Sequence, residues 1–373
     1  MKTLKKLLPL CLVLCLLVGC APKEPAATVA PAAVADDDSF TFLTSGLASG
    51  TTLATVNGEH IITIDDYLFW LALYVDTYRS QGYPLSWDGE GTVEADFKDM
   101  ILEVTSVYSF LNRHAAELGL TLSEADEARV QAEIDELKSS MGEDYAFWVS
   151  TMYRNETSFV ETERAMYAGD MLYDYYFGEN GILAPDEAAF AAYAAEAELY
   201  GVYNAKHILI RTVDDNRTQL SEEECARAAE LANEIYERLR DIGPDEAAFD
   251  EEMFAYSEDT GLVAYPGGYE FGPGEMVPEF EYGTLALAPG EMSEIVESMF
   301  GYHIIFRLPV DKDSERLREE VLGMKWNEWM DEAQQGIDMQ ATDIVWEQLS
   351  ISAIDEQRTA LTDAYFGADA ATE

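Results

Sequence analysis

The hydrophobic pattern changes type in the middle of this chain, and that change limits the possible folds more than any other feature. Between Tyr203 and Pro309 the sequence predicts a strand, two helices, a glycine-rich loop, a short helix and two strands. Helical patterns precede this segment from about residue 65 and resume after Asp311. The chain is therefore predicted to be an α+β protein, with an α/β module inserted between two pieces of a mostly helical region.

The region before the module is predicted to begin with strands and to continue as helices. Two β-prone runs between Leu53 and Thr63 surround an Asn57-Gly58 turn. Ser123 fits a helix N-cap with Asp126 three residues on, and Pro185 fits a first helical position. Helices are expected at about 65–82, 93–118, 123–141, 143–152, 156–177 and 185–199.

Aromatic side chains are dense through these predicted helices. At helical spacing they are expected mainly in the core, with a groove for unfolded chains as the alternative interpretation. The aromatics concerned are Phe69, Trp70, Tyr74, Tyr108, Phe110, Phe147, Trp148, Tyr153, Phe159, Tyr173, Tyr175, Tyr176 and Phe177.

The first twenty residues are typical of a secretory signal. Three lysines precede an apolar run from Leu7 to Val18, which is too short to span a bilayer comfortably. The run ends in Leu-Val-Gly-Cys20, which resembles the lipobox of bacterial lipoproteins. That resemblance implies cleavage after residue 19 and lipidation of Cys20, and two acyl chains suffice for stable membrane anchoring. An ordinary buried cysteine is the alternative.

Residues 20–52 read as a flexible tether rich in Ala, Pro, Thr, Ser and Gly. The run Asp36 to Asp38 lacks the spaced oxygen ligands and the glycine of a calcium loop, so a solvated charge run is preferred.

Charge and composition exclude some functions. With 23 Lys and Arg against 72 Asp and Glu, the net charge is −49 and no basic footprint for nucleic acid exists. Because 48% of the residues are hydrophobic, the acidity does not indicate disorder. Three of the four cysteines lie in the signal region, which leaves Cys225 alone in the body of the chain. An intrachain disulfide is therefore not expected there.

The module carries six ordered blocks that together resemble a parvulin-type (PpiC-like) peptidyl-prolyl isomerase domain. The blocks are His207-Ile-Leu, Tyr256-Ser-Glu-Asp259, Gly267-Gly268, Phe271-Gly-Pro-Gly-Glu-Met-Val-Pro-Glu-Phe280, Gly290-Glu-Met-Ser293 and Phe300-Gly-Tyr-His-Ile-Ile305. The resemblance implies a four-stranded antiparallel sheet with helices.

The wider layout is similar to that of PrsA/SurA-type foldases, on weaker matches. It divides the chain into a signal peptide (1–19), a lipidated tether (20–52), a helical chaperone-like region (53–200), the isomerase domain (201–310) and C-terminal helices that pack with the N-terminal region (311–373).

The resemblance assigns polar roles to three residues of the module. His207 and His303 would be paired on adjacent strands beneath the substrate, and Asp259 would lie beside the substrate carbonyl. The alternatives are satisfied core histidines and a turn-capping aspartate. A zinc site is disfavoured because no third ligand of suitable spacing is found, and rotation about a peptide bond needs no cofactor.

The resemblance also implies a proline pocket with Met276 and Phe280 as its floor and Phe300 near the catalytic centre. Met276 and Phe280 could instead be plain core residues, although the flanking Gly and Pro residues favour a pocket lip. The loop after Gly267-Gly268 is about two residues shorter than in the family, and the usual wall leucine has no clear equivalent. The segment after the first strand is net acidic, which disfavours phosphate recognition.

These observations predict a membrane-anchored extracytoplasmic foldase that isomerises X-Pro bonds in unfolded or partly folded secreted polypeptides. The alternatives are a holdase whose parvulin module is weakly active or inactive, and a lipoprotein solute receptor, for which the module is too small.

Overall fold

The computed structural model describes residues 49–58, 60–83, 85, 87 and 93–370, without the side chains of residues 60, 93, 343, 344 and 368–370. The predicted signal peptide, Cys20, the acidic run at 36–38 and most of the predicted tether lie outside these residues. The described residues form two compact units, one of 49–178 with 330–370 and one of 179–329. Among the helices searched in the described part of the chain, none is both long and apolar enough to cross a membrane.

The elements are numbered here in chain order. The strands are β1 (Thr52–Val56), β2 (His60–Thr63), β3 (Tyr203–Arg211), β4 (Tyr269–Phe271), β5 (Val296–Ser298), β6 (Gly301–Arg307) and β7 (Met339–Ala341). The helices are α1 (Ile64–Ser80), α2 (Val93–Glu117), α3 (Glu124–Met141), α4 (Tyr145–Thr151), α5 (Glu156–Met166), α6 (Ala168–Phe177), α7 (Glu187–Ala195), α8 (Glu222–Ile242), α9 (Glu246–Tyr256), α10 (Pro278–Leu285), α11 (Glu315–Gln335), α12 (Asp343–Gln348) and α13 (Ile351–Ala370). Short 3₁₀ helices cover Gly142–Asp144 and Ala197–Tyr200.

The first unit begins with the predicted hairpin. Asn57 and Gly58 both adopt positive φ, 53° and 70°, in the turn that joins β1 to β2, where Val56 pairs with His60. Thr63 then caps α1, because its side chain accepts the N–H of Asp66 and the Asp66 carboxylate accepts the N–H of Thr63.

Helix α1 is buried along most of its length, with Phe69 and Trp70 in the core. Phe159 and Phe177 are also buried, whereas the other aromatics predicted as core are half-buried.

Three details of this region differ from the sequence prediction. The helix expected at 156–177 is two helices, because the backbone at Tyr167 (φ −77°, ψ 0°) ends α5 before α6 begins. Helix α7 begins at Glu187 with Asp186 as its N-cap, so Pro185 lies before the helix and not at its first position. The sequence prediction missed β7, whose three residues extend the β2-β1 pair by pairing with β1. A strand this short carries too few residues for an alternating pattern.

The second unit is built on the predicted four-stranded antiparallel sheet, in the order β4-β3-β6-β5. This confirms the α+β class and the sheet expected for the module. One face of the sheet, including Ile208 and Phe306, packs against α8 and α9. The other face, including Ala205 and Ile305, packs against α10 through Phe280. The candidate site lies on this second face.

Candidate active site

The two central strands bring the histidine pair together. In the β3-β6 ladder His207 pairs with Ile305 and Leu209 pairs with His303. Side chains two residues apart along a strand share a face, so His207 and His303 are diagonal neighbours on one face of the sheet. Their Nδ1 atoms are 2.9 Å apart and their rings are inclined by only 13°.

The loop after α9 carries Asp259 to the same face. It is joined to β3 twice: the Glu258 N–H donates to the Leu209 carbonyl at 2.8 Å, and the Leu209 N–H donates to Ser257 Oγ at 3.1 Å. These bonds place Asp259 Oδ2 3.0 Å from His207 Nε2. The Gly261 N–H donates to the other carboxylate oxygen at 3.0 Å.

The hydrogen bonds of the site run in one consistent direction. A carboxylate only accepts, so His207 donates from Nε2 to Asp259 and its Nδ1 is left as an acceptor. His303 therefore donates from Nδ1, and its Nε2 accepts from Ser298 Oγ at 2.7 Å. Ser298 Oγ in turn accepts the Phe300 N–H at 3.1 Å. With one proton on each ring, every donor of this hydrogen-bond chain has an acceptor.

The electrostatics of the site agree with this arrangement. Burial, together with the charge of His207 when protonated, lowers the pKa of His303 to about 3. Burial alone would raise the pKa of Asp259, but hydrogen bonds from His207, Tyr269 and the Gly261 backbone outweigh it and hold that pKa well below its usual range. Asp259 is thus a fixed negative charge at neutral pH, and His303 is neutral.

An apolar floor lies directly against the histidines. The Phe280 side chain, from α10, is 3% exposed. Its ring meets the rings of His207 and His303 edge to face at centroid distances of 5.0 and 5.7 Å. Met276 is half-buried and packs against the same cluster, which also contains Phe271. Phe300 is half-buried and is joined to the histidine pair through Ser298.

Two residues that belong to this arrangement were not predicted from the sequence. Ser298 ends the hydrogen-bond chain at His303, and Tyr269 donates to Asp259 Oδ2 at 2.5 Å. Tyr269 follows Gly268, whose positive φ of 104° and close approach to the Ala205 carbonyl leave no room for a side chain. The ring of Tyr269 packs against the apolar cluster that contains Met276, in the loop where the usual wall leucine is missing.

Titratable groups and two arginines also lie near the site. Within the described part of the chain, no group of three or more His, Cys, Asp or Glu side chains could hold a metal ion. Arg211 is paired with Asp215 at 2.7 Å, and Arg217 lies over the Phe300 ring at 5.7 Å.

Comparison with known proteins identifies the module. Residues 207–307 match the family model described as the PPIC-type PPIase domain, or rotamase. The chain is 31% identical over 204 residues to foldase protein PrsA 4 of Bacillus cereus, which is 52% of this chain and 60% of that one. It is 40% identical over 119 residues to chaperone SurA of Chromohalobacter salexigens, 30% of this chain and 24% of that one.

Among solved structures, PrsA from Bacillus cereus is similar over 65% of this chain and 82% of that chain, at 22% identity and a TM-score of 0.28. In the sequence comparison, this chain spans about three-fifths of the length of the PrsA 4 sequence that it matches. The six motif blocks, the four-stranded sheet and the family match agree on one identity for the module. Residues 207–307 are a PPIC-type peptidyl-prolyl isomerase domain.

Proposed function

We propose that this chain is a membrane-anchored extracytoplasmic foldase that catalyses cis–trans isomerisation of X-Pro bonds in secreted polypeptides and also has chaperone activity. The observation that carries the proposal is the closed hydrogen-bond chain from Ser298 through His303 and His207 to Asp259, set against the Phe280 floor. The similarity to PrsA foldases and to chaperone SurA supports unfolded polypeptides as the substrates.

The site contains what this reaction needs. Rotating a peptide bond costs about 18–20 kcal/mol because the resonance of the amide is lost. No bond breaks, so the enzyme only has to favour the twisted amide over the planar one. In the planar amide the carbonyl oxygen carries more negative charge than in the twisted one. A fixed carboxylate at Asp259 beside that oxygen destabilises the planar state selectively.

The other residues orient the reacting groups. Met276 and Phe280 hold the pyrrolidine ring of proline by apolar contact, with Phe300 at the pocket edge. The paired rings of His207 and His303 transfer no proton and instead fix the direction of the Asp259 carboxylate. Because both rings are stacked on a rigid sheet, the site is organised before the substrate binds.

A peptide assay on the full chain without its signal tests the enzymatic proposal. We expect catalysed exchange of an Ala-Pro peptide, measured by NMR, and a fall in kcat/KM of about tenfold or more for His207→Ala or Asp259→Ala. Thr218→Ala, an exposed change on the same module, is the matched control. No exchange above the uncatalysed rate with the parent chain would contradict the proposal.

The alternative is a holdase with a weakly active isomerase module, suggested by the shortened loop at residues 267–271. Tyr269 packs against the buried cluster that contains Phe280, as Met276 does, which favours a working pocket. Suppression of client aggregation decides between the two. If Asp259→Ala abolishes exchange but leaves both client refolding and aggregation suppression intact, the holdase function is the correct one.

Anchoring is proposed on the sequence around Cys20, which lies outside the described residues. The composition of residues 20–52 suits a tether between the lipid and the folded units. We expect the parent protein in the membrane fraction, with a mass raised by lipid, and Cys20→Ala in the soluble fraction. A Cys20→Ala protein that stays in the membrane fraction would contradict the lipid anchor.

A further inference from the structure

We propose that Tyr269 and Gly261 form a matched pair that holds the Asp259 carboxylate in place, with Tyr269 as a positioning residue for isomerisation. This inference rests on the isomerase function proposed above. It adds a residue pair to the site, and Tyr269 begins β4 in the segment 267–271 that departs from the family pattern.

The first observation is the hydroxyl of Tyr269. It donates to Asp259 Oδ2 at 2.5 Å, the same oxygen that accepts from His207 Nε2 at 3.0 Å. With the Gly261 N–H on Oδ1, the carboxylate accepts three hydrogen bonds from three different segments. Hydrogen bonds to a charged acceptor are stronger than neutral ones, so each donor limits the directions in which the carboxylate can turn.

The second observation is the absence of a side chain at Gly261. A Cβ atom at this position would lie 2.1 Å from the Tyr269 hydroxyl oxygen and 3.2 Å from the ring carbon that bears it. The first distance is impossible for non-bonded atoms, whereas the second needs only a small shift. A residue with any side chain at 261 must therefore displace the hydroxyl from Asp259. The glycine is required by the tyrosine.

The third observation is the position of the Tyr269 ring. Tyr269 pairs with Ala205 in the β3-β4 ladder. His207 is two residues after Ala205 in β3, so the side chains of Tyr269 and His207 lie on the same face of the sheet. The two rings meet edge to face at 5.8 Å. Tyr269 also packs against the cluster that contains Met276. The ring thus forms part of the pocket wall, whereas the hydroxyl holds the Asp259 carboxylate. A Tyr269→Phe substitution would remove the hydroxyl and keep the wall.

The hydroxyl bears on catalysis through the carboxylate. The effect of Asp259 on a substrate carbonyl depends on both its charge and its distance from the oxygen, and a carboxylate that rotates away loses selectivity for the twisted amide. Removing the hydroxyl should therefore lower kcat more than it weakens peptide binding. It should also raise the pKa of Asp259, which moves the acidic limb of the activity profile to higher pH.

A double-mutant cycle in the chain without its signal tests the pair. For Tyr269→Phe we expect kcat/KM to fall about tenfold, with the peptide dissociation constant changed less than about twofold. Gly261→Ala should cost at least as much, because its methyl group displaces the hydroxyl. The variant with both changes should be no worse than Tyr269→Phe alone. Tyr265→Phe, the same change on the ring 5.2 Å from Tyr269, is the control and should stay within about twofold.

Two results would overturn the inference. One is a Tyr269→Phe variant with the parent's activity and pH profile. The other is a cycle in which the costs of Gly261→Ala and Tyr269→Phe simply add. If the parent itself is inactive, the proposed function fails, but the pair is still tested by urea unfolding. Gly261→Ala should then lower the urea concentration at the unfolding midpoint less in the Tyr269→Phe background than in the parent. An equal lowering in both backgrounds would disprove the pairing.

Discussion

At the scale of single residues, burial sets the charge state of His303. His303 is 3% exposed, so a second proton on it would be a charge held away from water. The motif blocks were enough to predict His207, His303 and Phe280 as neighbours. They could not predict Tyr269, because its bond to Asp259 joins residues ten positions apart and depends on the path of the loop between α9 and β4.

The low pKa of His303 predicts a pH-dependent stability of the second unit. The pKa is about 3 in the folded chain and 6.5 for an unperturbed histidine, so between these values the unfolded chain binds a proton that the folded one does not. The contribution of His303 to the stability is therefore fully present above pH 6.5 and is lost as the pH drops toward 3, by up to about 1.4 kcal/mol per pH unit.

Urea unfolding of the parent and of His303→Gln between pH 4 and 8 measures this effect. Gln keeps a donor and an acceptor but does not titrate, so its unfolding free energy should depend less steeply on pH. Equal slopes for the two proteins would show that His303 is not held neutral by the fold.

At the scale of elements, the start of α11 braces the loop that carries Met276. Arg316 forms two bonds of 2.9 Å with the Glu275 carboxylate, and Ser314 Oγ donates to Glu270 at 2.8 Å. Helix α8 of this unit was predictable because Ser221 and Glu224 form a capping box and its buried residues recur at helical spacing. The bracing was not, since it joins residues about forty positions apart in sequence.

Loss of this brace should loosen the pocket without unfolding it. For Arg316→Gln we expect the peptide dissociation constant to rise about two- to threefold, with a stability loss of no more than about 1 kcal/mol because the pair is partly exposed. Lys325→Gln is the matched control, since it removes a surface pair with Glu328 from the same helix. Peptide titrations by NMR give both values. Equal binding by the two variants would mean that the brace does not reach Met276.

At the scale of the molecule, the compact second unit, 179–329, extends beyond the predicted isomerase domain, 201–310, on both sides. Val202 packs with Phe190, Leu317 and Val321 in one buried cluster. Arg307, whose side chain is 8% exposed, pairs with Glu198 at 2.9 Å. The motif blocks predicted where the chemistry lies, but they carry no information on which flanking helices complete the core.

A fragment of residues 179–329 should therefore be more stable than one of residues 201–310. The shorter piece leaves Val202 without Phe190, Leu317 and Val321 and leaves Arg307 without Glu198, whereas the longer piece keeps these contacts. Urea unfolding followed by circular dichroism gives the two free energies. If both fragments unfold at the same urea concentration, the flanking segments do not belong to the folding unit.

In the proposed mechanism a fixed negative charge at Asp259, aligned by the paired rings of His207 and His303, drives X-Pro isomerisation. Asp259→Asn tests it most directly, because it keeps the size of the side chain and removes its charge. We predict that NMR exchange on an Ala-Pro peptide gives catalysis by the parent chain and a kcat/KM lower by about tenfold or more for Asp259→Asn. An Asp259→Asn variant with the activity of the parent would contradict the account.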